Sequence, residues 1–145
     1  MIPVKLMIES VIESDEAVNP EVIKQEMTGH LTIQDDEWIL RYLEFAGTDE
    51  EVRTSVKSNP SQVTVVRKGA ISYRQVYRLD RQTTSLIHTM AGETEMVVQT
   101  LSYDRQRVGN QGEIELSFYL DNAQERLGKY RLSIKWLEGV EDESA

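Results

Sequence analysis

The 145-residue chain fits one domain, and it contains no cysteine, which excludes disulfides, thiolate metal sites and cysteine nucleophiles. Its 25 acidic and 16 basic side chains give a formal net charge of −9, which disfavours binding to nucleic acid or to an anionic membrane surface. No apolar run reaches the ~20 residues of a membrane span, and the N-terminus lacks a signal-peptide core, so the composition predicts a soluble cytoplasmic protein.

The chain begins with two predicted strands. Residues 2–12 alternate between apolar and polar side chains, which is typical of a half-buried strand. Residues 21–33 carry apolar side chains at odd-numbered positions and are predicted as a strand with a bulge or bend at Gly29. Asn19 followed by Pro20 also resembles a helix start, but we prefer the strand because the alternation continues through the whole segment.

Two further strands are predicted before residue 60. Residues 37–46 are rich in β-formers and carry apolar side chains on both faces, so the pattern leaves open which face is inward. Thr48 to Glu51 match a helix capping box. The alternation over residues 52–57 nevertheless favours a turn followed by a strand.

The second half continues the same pattern. Strands are predicted over 61–67, 70–79, 83–90 and 95–103, followed by a loop over 104–112 and a hairpin over 113–137. The apolar positions of the hairpin that should share the inward face are Ile114, Leu116, Phe118, Leu120, Leu132, Ile134 and Trp136. Ten strand-like segments at this spacing indicate an antiparallel barrel or sandwich. We therefore expect one β domain over 1–138 and a frayed acidic tail over 139–145.

Several short motifs resemble a known bacterial family in their order and spacing. They are YLE at 42–44, VVRKG at 65–69, TMAG at 89–92, VVQT at 97–100, GEIELSFYL at 112–120 and LGKYRLSI at 127–134. In this order the chain resembles the YwiB-like family of uncharacterised proteins, from the first strand to Trp136. The resemblance implies an all-β fold, an antiparallel lipocalin-like (calycin) β-barrel of eight to ten strands, and implies no catalytic residues. Met90 stands where proline is expected in the turn.

Motifs of enzyme chemistry are missing from the sequence. It has no glycine-rich phosphate loop, no HExxH, no GxSxG and no EF-hand loop. The two histidines, His30 and His88, lie far apart in the sequence. We therefore predict no catalytic residue, no metal site and no cofactor.

Glu44 is the first candidate for a functional side chain. If the strand face that carries Trp38 lines the barrel, Glu44 points inward near one end, where it could anchor a ligand or act as a general base. The alternative is a carboxylate at the barrel rim, in water or paired with an arginine such as Arg67 or Arg74.

Polar side chains on other strands could complete a ligand pocket. Tyr42, Tyr73, Gln75 and Tyr77 would place polar tips among aliphatic walls, although strand tyrosines also bury their rings for ordinary packing. Trp38 could stack on a ligand or, with Trp136, close the floor of the barrel. The predicted ligand-binding residues are Trp38, Tyr42, Glu44, Arg67, Tyr73, Gln75 and Tyr77.

These features predict a cytoplasmic protein that binds a small, partly apolar or amphipathic ligand in the barrel interior. The alternative is a protein-interaction or homo-oligomeric module, such as a homodimer, without a small-molecule site. An enzyme that uses Glu44 as acid or base is a third hypothesis.

Overall fold

A computed structural model describes residues 1–14, 18–122 and 125–139, and these ranges form ten β-strands and no helix. The strands are β1 (Ile2–Glu13), β2 (Glu21–Gln34), β3 (Glu37–Glu44), β4 (Val52–Ser58), β5 (Gln62–Gly69), β6 (Tyr73–Arg78), β7 (Gln82–Thr89), β8 (Gly92–Val108), β9 (Gln111–Asp121) and β10 (Arg126–Glu138). Residues 140–145 of the predicted acidic tail lie outside the described ranges.

All ten strands belong to one antiparallel sheet that curls into a nearly closed barrel. The order is β6-β5-β4-β3-β2-β1-β10-β9-β8-β7, so the first and last strands of the chain are neighbours and β6 faces β7 across a seam. At one end of the seam, Ser72 and His88 exchange two backbone hydrogen bonds of 2.9 Å. Further along, the Thr83 hydroxyl donates to the Val76 carbonyl at 2.5 Å. The predicted all-β antiparallel barrel is therefore confirmed.

The interior is built by the period-two alternation of each strand. Its buried apolar side chains include Val4, Leu6, Ile8, Leu31, Leu40, Val56, Val63, Val65, Val98, Ile114, Leu116, Phe118, Ile134 and Trp136. Leu40 is fully buried and Glu44 is only 8% exposed, so the face of β3 that carries Trp38 is the inward one. The hairpin residues predicted to face inward belong to this core or pack against it.

Of the bulge or bend predicted at Gly29, the bulge is absent. Gly29 pairs with Val4 on one side and with Tyr42 on the other, in a register that runs on without a shift. Glycine is needed here because neighbouring atoms lie too close for a side chain. A Cβ atom at this position would lie 2.5 Å from the Arg41 carbonyl oxygen and 2.9 Å from the Leu6 side chain.

The predicted loop over 104–112 is also shorter than expected. Strand β8 continues to Val108, and β9 begins at Gln111. Gly109 makes the tight turn between them at a φ of 61°, a left-handed conformation that favours glycine. Residues 104–107 are polar because this part of β8 has exposed or half-buried side chains. The apolar alternation that predicts a strand is therefore absent there.

The capping-box residues make a turn, as the alternation after them predicted. The Thr48 hydroxyl accepts a 3.1 Å hydrogen bond from the Glu50 amide, and the Glu51 carboxylate accepts one of 3.1 Å from the Gly47 amide. These bonds satisfy amides as a helix cap would, but β4 follows immediately at Val52. The Asn19-Pro20 signal likewise precedes a strand, β2.

Gly112 provides a test of the packing at the end of β9. It lies opposite Trp136 in the β9–β10 register, and a Cβ atom there would fall 1.9 Å from the indole ring. We expect Gly112→Ala to lower the free energy of unfolding by about 1–3 kcal/mol, the usual cost of overpacking. Urea denaturation measures the change, with the exposed neighbour Gln111→Ala as control. An unchanged midpoint for Gly112→Ala would contradict this packing.

Candidate functional site

One end of the barrel is closed by aromatic side chains. The Trp38 and Trp136 rings meet edge to face with centroids 5.9 Å apart, and the Arg105 guanidinium lies 4.0 Å from the centre of the Trp38 ring. The Tyr103 hydroxyl reaches across from β8 and shares a 2.5 Å hydrogen bond with Ser58 at the end of β4. These five residues form what we call the closed end. The tryptophans therefore pack as a floor, one of the two roles considered for them.

The half of the barrel above this floor is hollow. A cavity of about 410 Å³, here called the interior cavity, lies toward the ends of β1, β3, β5, β7 and β9. Six of the seven predicted site residues line it, and Trp38 is the exception. The six are Tyr42, Glu44, Arg67, Tyr73, Gln75 and Tyr77. Its apolar wall includes Val56, Val65, Val98, Phe118 and Ile134.

Glu44 and Arg67 form an ion pair on the cavity wall. Oε2 of Glu44 accepts hydrogen bonds from Arg67 Nε at 3.1 Å and from the Thr54 hydroxyl at 2.6 Å, and Arg67 Nη2 lies 3.0 Å away. Of the two arginines considered for this carboxylate, Arg67 is the partner, while Arg74 is exposed on the outer wall. Within the described ranges, Oε1 of Glu44 has no hydrogen-bond partner.

The guanidinium of Arg67 remains charged in this setting. Burial acts to lower its pKa, but Tyr73 and Glu44 outweigh burial and the pKa is raised. The Tyr73 ring lies beside it, with the centroid 5.6 Å from the guanidinium carbon. Arg67 is therefore a charged partner for the Glu44 carboxylate, and the two charges offset each other.

Tyr42 and Tyr77 point unpaired hydroxyls at the same cavity. Tyr77 is 6% exposed, with its ring centroid 4.8 Å from that of Phe118. Burial raises the pKa of both phenols, so both stay protonated and can donate. Neither hydroxyl has a hydrogen-bond partner in the part of the chain that the structure describes.

Gln75 is engaged in closing the seam. Its amide nitrogen donates to the Thr83 hydroxyl and to the Val76 carbonyl, each at 2.8 Å. The side chain therefore replaces ladder hydrogen bonds that β6 and β7 do not make. It lines the cavity, but its two donors are already used.

Phe45 and His88 lie near the open end of the barrel. Phe45, which directly follows β3, lines the cavity at its rim and is 50% exposed. Its φ of 54° is left-handed, and the Thr48 amide and hydroxyl hold its carbonyl at 3.2 and 2.7 Å. His88 is exposed, with Nδ1 3.0 Å from the Glu93 carboxylate.

Thr54 and Ser85 are cavity residues that sequence reasoning missed. The alternation placed Thr54 on one face of its strand, but only the β3–β4 register brings it beside Glu44.

In the described ranges no cluster of acidic or histidine side chains could hold a metal ion, and no helix is long and apolar enough to cross a membrane.

Fold and site together define a ten-stranded antiparallel β-barrel, floored by tryptophan at one end and hollow toward the other. Residues 6–134 match the family described as a domain of unknown function, DUF1934, and the chain belongs to that family. It is 27% identical over 138 residues to the uncharacterized beta-barrel protein YwiB of Bacillus subtilis strain 168, covering 95% of each chain. The crystal structure of the ywiB protein from Bacillus subtilis is similar with a TM-score of 0.83 at 26% identity, over 96% of this chain and 93% of that one. The predicted YwiB-like resemblance is confirmed.

The buried phenols predict a loss of stability at high pH. Unfolded tyrosine releases its proton near pH 10, whereas the fold retains the protons of Tyr42 and Tyr77 to higher pH. The free energy of unfolding therefore falls as the pH rises above 10, by about 1.4 kcal/mol per pH unit for each tyrosine. Tyr77→Phe should show a shallower fall in urea titrations across this range.

Tyr119→Phe is the matched control, because that ring lies on the outer wall, 3.8 Å from the Arg126 guanidinium. It removes one tyrosine without opening the interior. Equal slopes for wild type and Tyr77→Phe would show that Tyr77 does not carry the effect.

Proposed function

We propose that this protein is a cytoplasmic binding protein that holds a small, partly apolar molecule in the interior cavity. The observation that carries the proposal is the cavity itself, about 410 Å³ and lined by the Tyr42 and Tyr77 hydroxyls, for which the described residues supply no hydrogen-bond partner. Ligand pockets commonly occupy about 300–1,000 Å³ and combine apolar walls with a few placed polar groups. The interior cavity has that size and that composition.

The unpaired phenols support a bound molecule by their position. Tyr42 and Tyr77 line the cavity, and no group in the described ranges accepts from either hydroxyl. Among the described residues, the one fully buried side-chain polar atom without a partner is the Thr100 hydroxyl, so the two phenol oxygens are open to the cavity. A ligand in the cavity can therefore accept from them.

The rim of the cavity supports the same conclusion. Phe45 combines a left-handed backbone with a half-exposed aromatic ring, and neither feature stabilises an empty barrel. Non-glycine residues adopt this conformation rarely, and such strain is concentrated at binding and catalytic sites. Phe45 provides an apolar surface where a ligand would enter.

A protein-interaction module is the second candidate, and one feature of the outer wall favours it. A shallow hollow of about 870 Å³ lies over β2 to β5, where Arg41, Arg53, Lys68 and the 39%-exposed Leu43 face outward. Such a surface could meet an acidic partner or a second copy of the chain. A homodimer detected by sedimentation and abolished by Leu43→Asp would favour this candidate.

The binding proposal is tested by filling the cavity. Ser85 is 7% exposed and lines it, so Ser85→Phe should occupy part of the space. Wild type should bind the hydrocarbon dye diphenylhexatriene with enhanced fluorescence, and Ser85→Phe should weaken the binding at least tenfold. Native mass spectrometry of freshly purified protein should also detect a retained small molecule in wild type and less of it in the variant.

Thr84→Phe is the matched control, because Thr84 is the exposed neighbour of Ser85 on β7. It adds the same ring outside the barrel and should leave dye binding unchanged. Wild type that neither binds the dye nor retains any molecule would overturn the proposal, and so would equal binding by Ser85→Phe with an unchanged unfolding midpoint.

A further inference from the structure

We propose that the ligand carries an uncharged hydrogen-bond acceptor, a carbonyl of the ketone or amide kind, which receives the hydroxyl protons of Tyr42 and Tyr77 beside the Glu44–Arg67 pair. This inference deepens the proposed function and rests on it. It identifies the ligand by the chemistry of its head group, on an apolar body.

Charge balance excludes an ionic head. Glu44 and Arg67 neutralise each other, with Oε2 of the carboxylate 3.0 Å from Nη2 of the guanidinium. Their side chains are 9% and 20% exposed, so both charges are largely removed from water. A ligand carboxylate would add a second negative charge next to Glu44, and a ligand ammonium a second positive charge next to Arg67. A buried charge without its own partner is costly, so the neutral pair selects a neutral guest.

Arg131, the other charged residue that lines the cavity, does not change this balance. It is exposed on β10. Water therefore screens its charge, and it contributes little to the selection of a buried head group.

The wall of the cavity offers free donors as well as free acceptors, because a tyrosine hydroxyl can do either. Tyr42 and Tyr77 each offer a proton that no group in the described ranges accepts. Arg67 directs Nε and Nη2 at Glu44, and its guanidinium also interacts with Tyr73. On the acceptor side, Oε1 of Glu44 is unbonded. A carbonyl oxygen uses the donors, and an amide N–H beside it could also reach this acceptor.

The remainder of the ligand meets aliphatic and aromatic side chains. Below the polar groups, the cavity wall is formed by Val56, Val65, Val98 and Phe118, all buried. These side chains offer no hydrogen bonds, so an alkyl or aryl body fits there and is stabilised by its removal from water.

The test compares four ligands that each have an unbranched skeleton of ten carbon atoms. Decanamide, 2-decanone, decanoate and decylamine are titrated into the full-length protein by calorimetry at pH 7.5. We expect decanamide and 2-decanone to bind at least tenfold more tightly than decanoate and decylamine. Tighter binding of either charged compound would overturn the inference while leaving the proposed function intact. Failure of all four compounds and of diphenylhexatriene would overturn both.

Two variants locate the head group. The double variant Tyr42→Phe/Tyr77→Phe should lose at least tenfold in affinity for decanamide and keep its affinity for diphenylhexatriene, which has no polar group. Because a structural role alone would weaken both ligands together, unequal losses are diagnostic. Equal losses, or no loss for decanamide, would contradict the assignment.

Glu44→Gln should reverse the preference. Without the carboxylate, the positive charge of Arg67 lacks its partner, and decanoate should bind more tightly than decanamide. Glu37→Gln is the matched control, because Glu37 pairs with Lys57 at 3.4 Å away from the interior cavity and should leave the preference unchanged. If Glu44→Gln fails to fold, the tyrosine variant decides the question alone. A folded Glu44→Gln that still prefers decanamide would show that the ion pair does not set the selectivity.

Discussion

Closure of the sheet is the constraint on which the rest of this structure depends. A strand edge with free N–H and C=O groups invites pairing with another chain, and curling the sheet until β6 meets β7 removes most of that edge. The seam is bridged by Ser72 and His88 at one end and by the side chains of Gln75 and Thr83 further along. Side-chain hydrogen bonds thus complete a barrel that backbone pairing leaves slightly open.

Closure with ten strands also creates more interior than this sequence fills. The lower half is packed by aliphatic side chains and by the Trp38–Trp136 contact, while small or polar residues such as Thr54 and Ser85 occupy the upper half. The Trp38–Trp136 contact closes one end of the barrel, and the cavity lies toward the other.

Polar groups inside the barrel then require hydrogen-bond or ion-pair partners. An isolated carboxylate is very costly in a medium of low dielectric constant, so Glu44 is tied to Arg67 and to Thr54 through one oxygen. A hydrophobic pair in the same places is often as stable or more so, and stability alone therefore does not explain these residues. The proposed ligand site would account for the ion pair and the unpaired phenols together.

The sequence by itself determined the strands. Period-two alternation is a local property, so it located the ten strands, the inward side of the final hairpin and six of the residues that line the cavity. Turn chemistry was equally local, and for that reason the capping-box residues after β3 could be assigned to a turn.

Only the tertiary structure decided which of these residues meet. The choice of Arg67 over Arg74 depends on register carried across β3, β4 and β5, which links residues 23 positions apart in the sequence. Strand 37–46 has apolar side chains on both faces, so its inward side was settled by what the neighbouring strands bury. The glycine at 29 and the rim position of Phe45 depend on close approach and turn geometry, which alternation does not encode. Local periodicity predicts which face of a strand a side chain occupies. Only the pairing of distant strands decides which side chains contact each other, and the hydrogen bonds and ion pair of this cavity depend on those contacts.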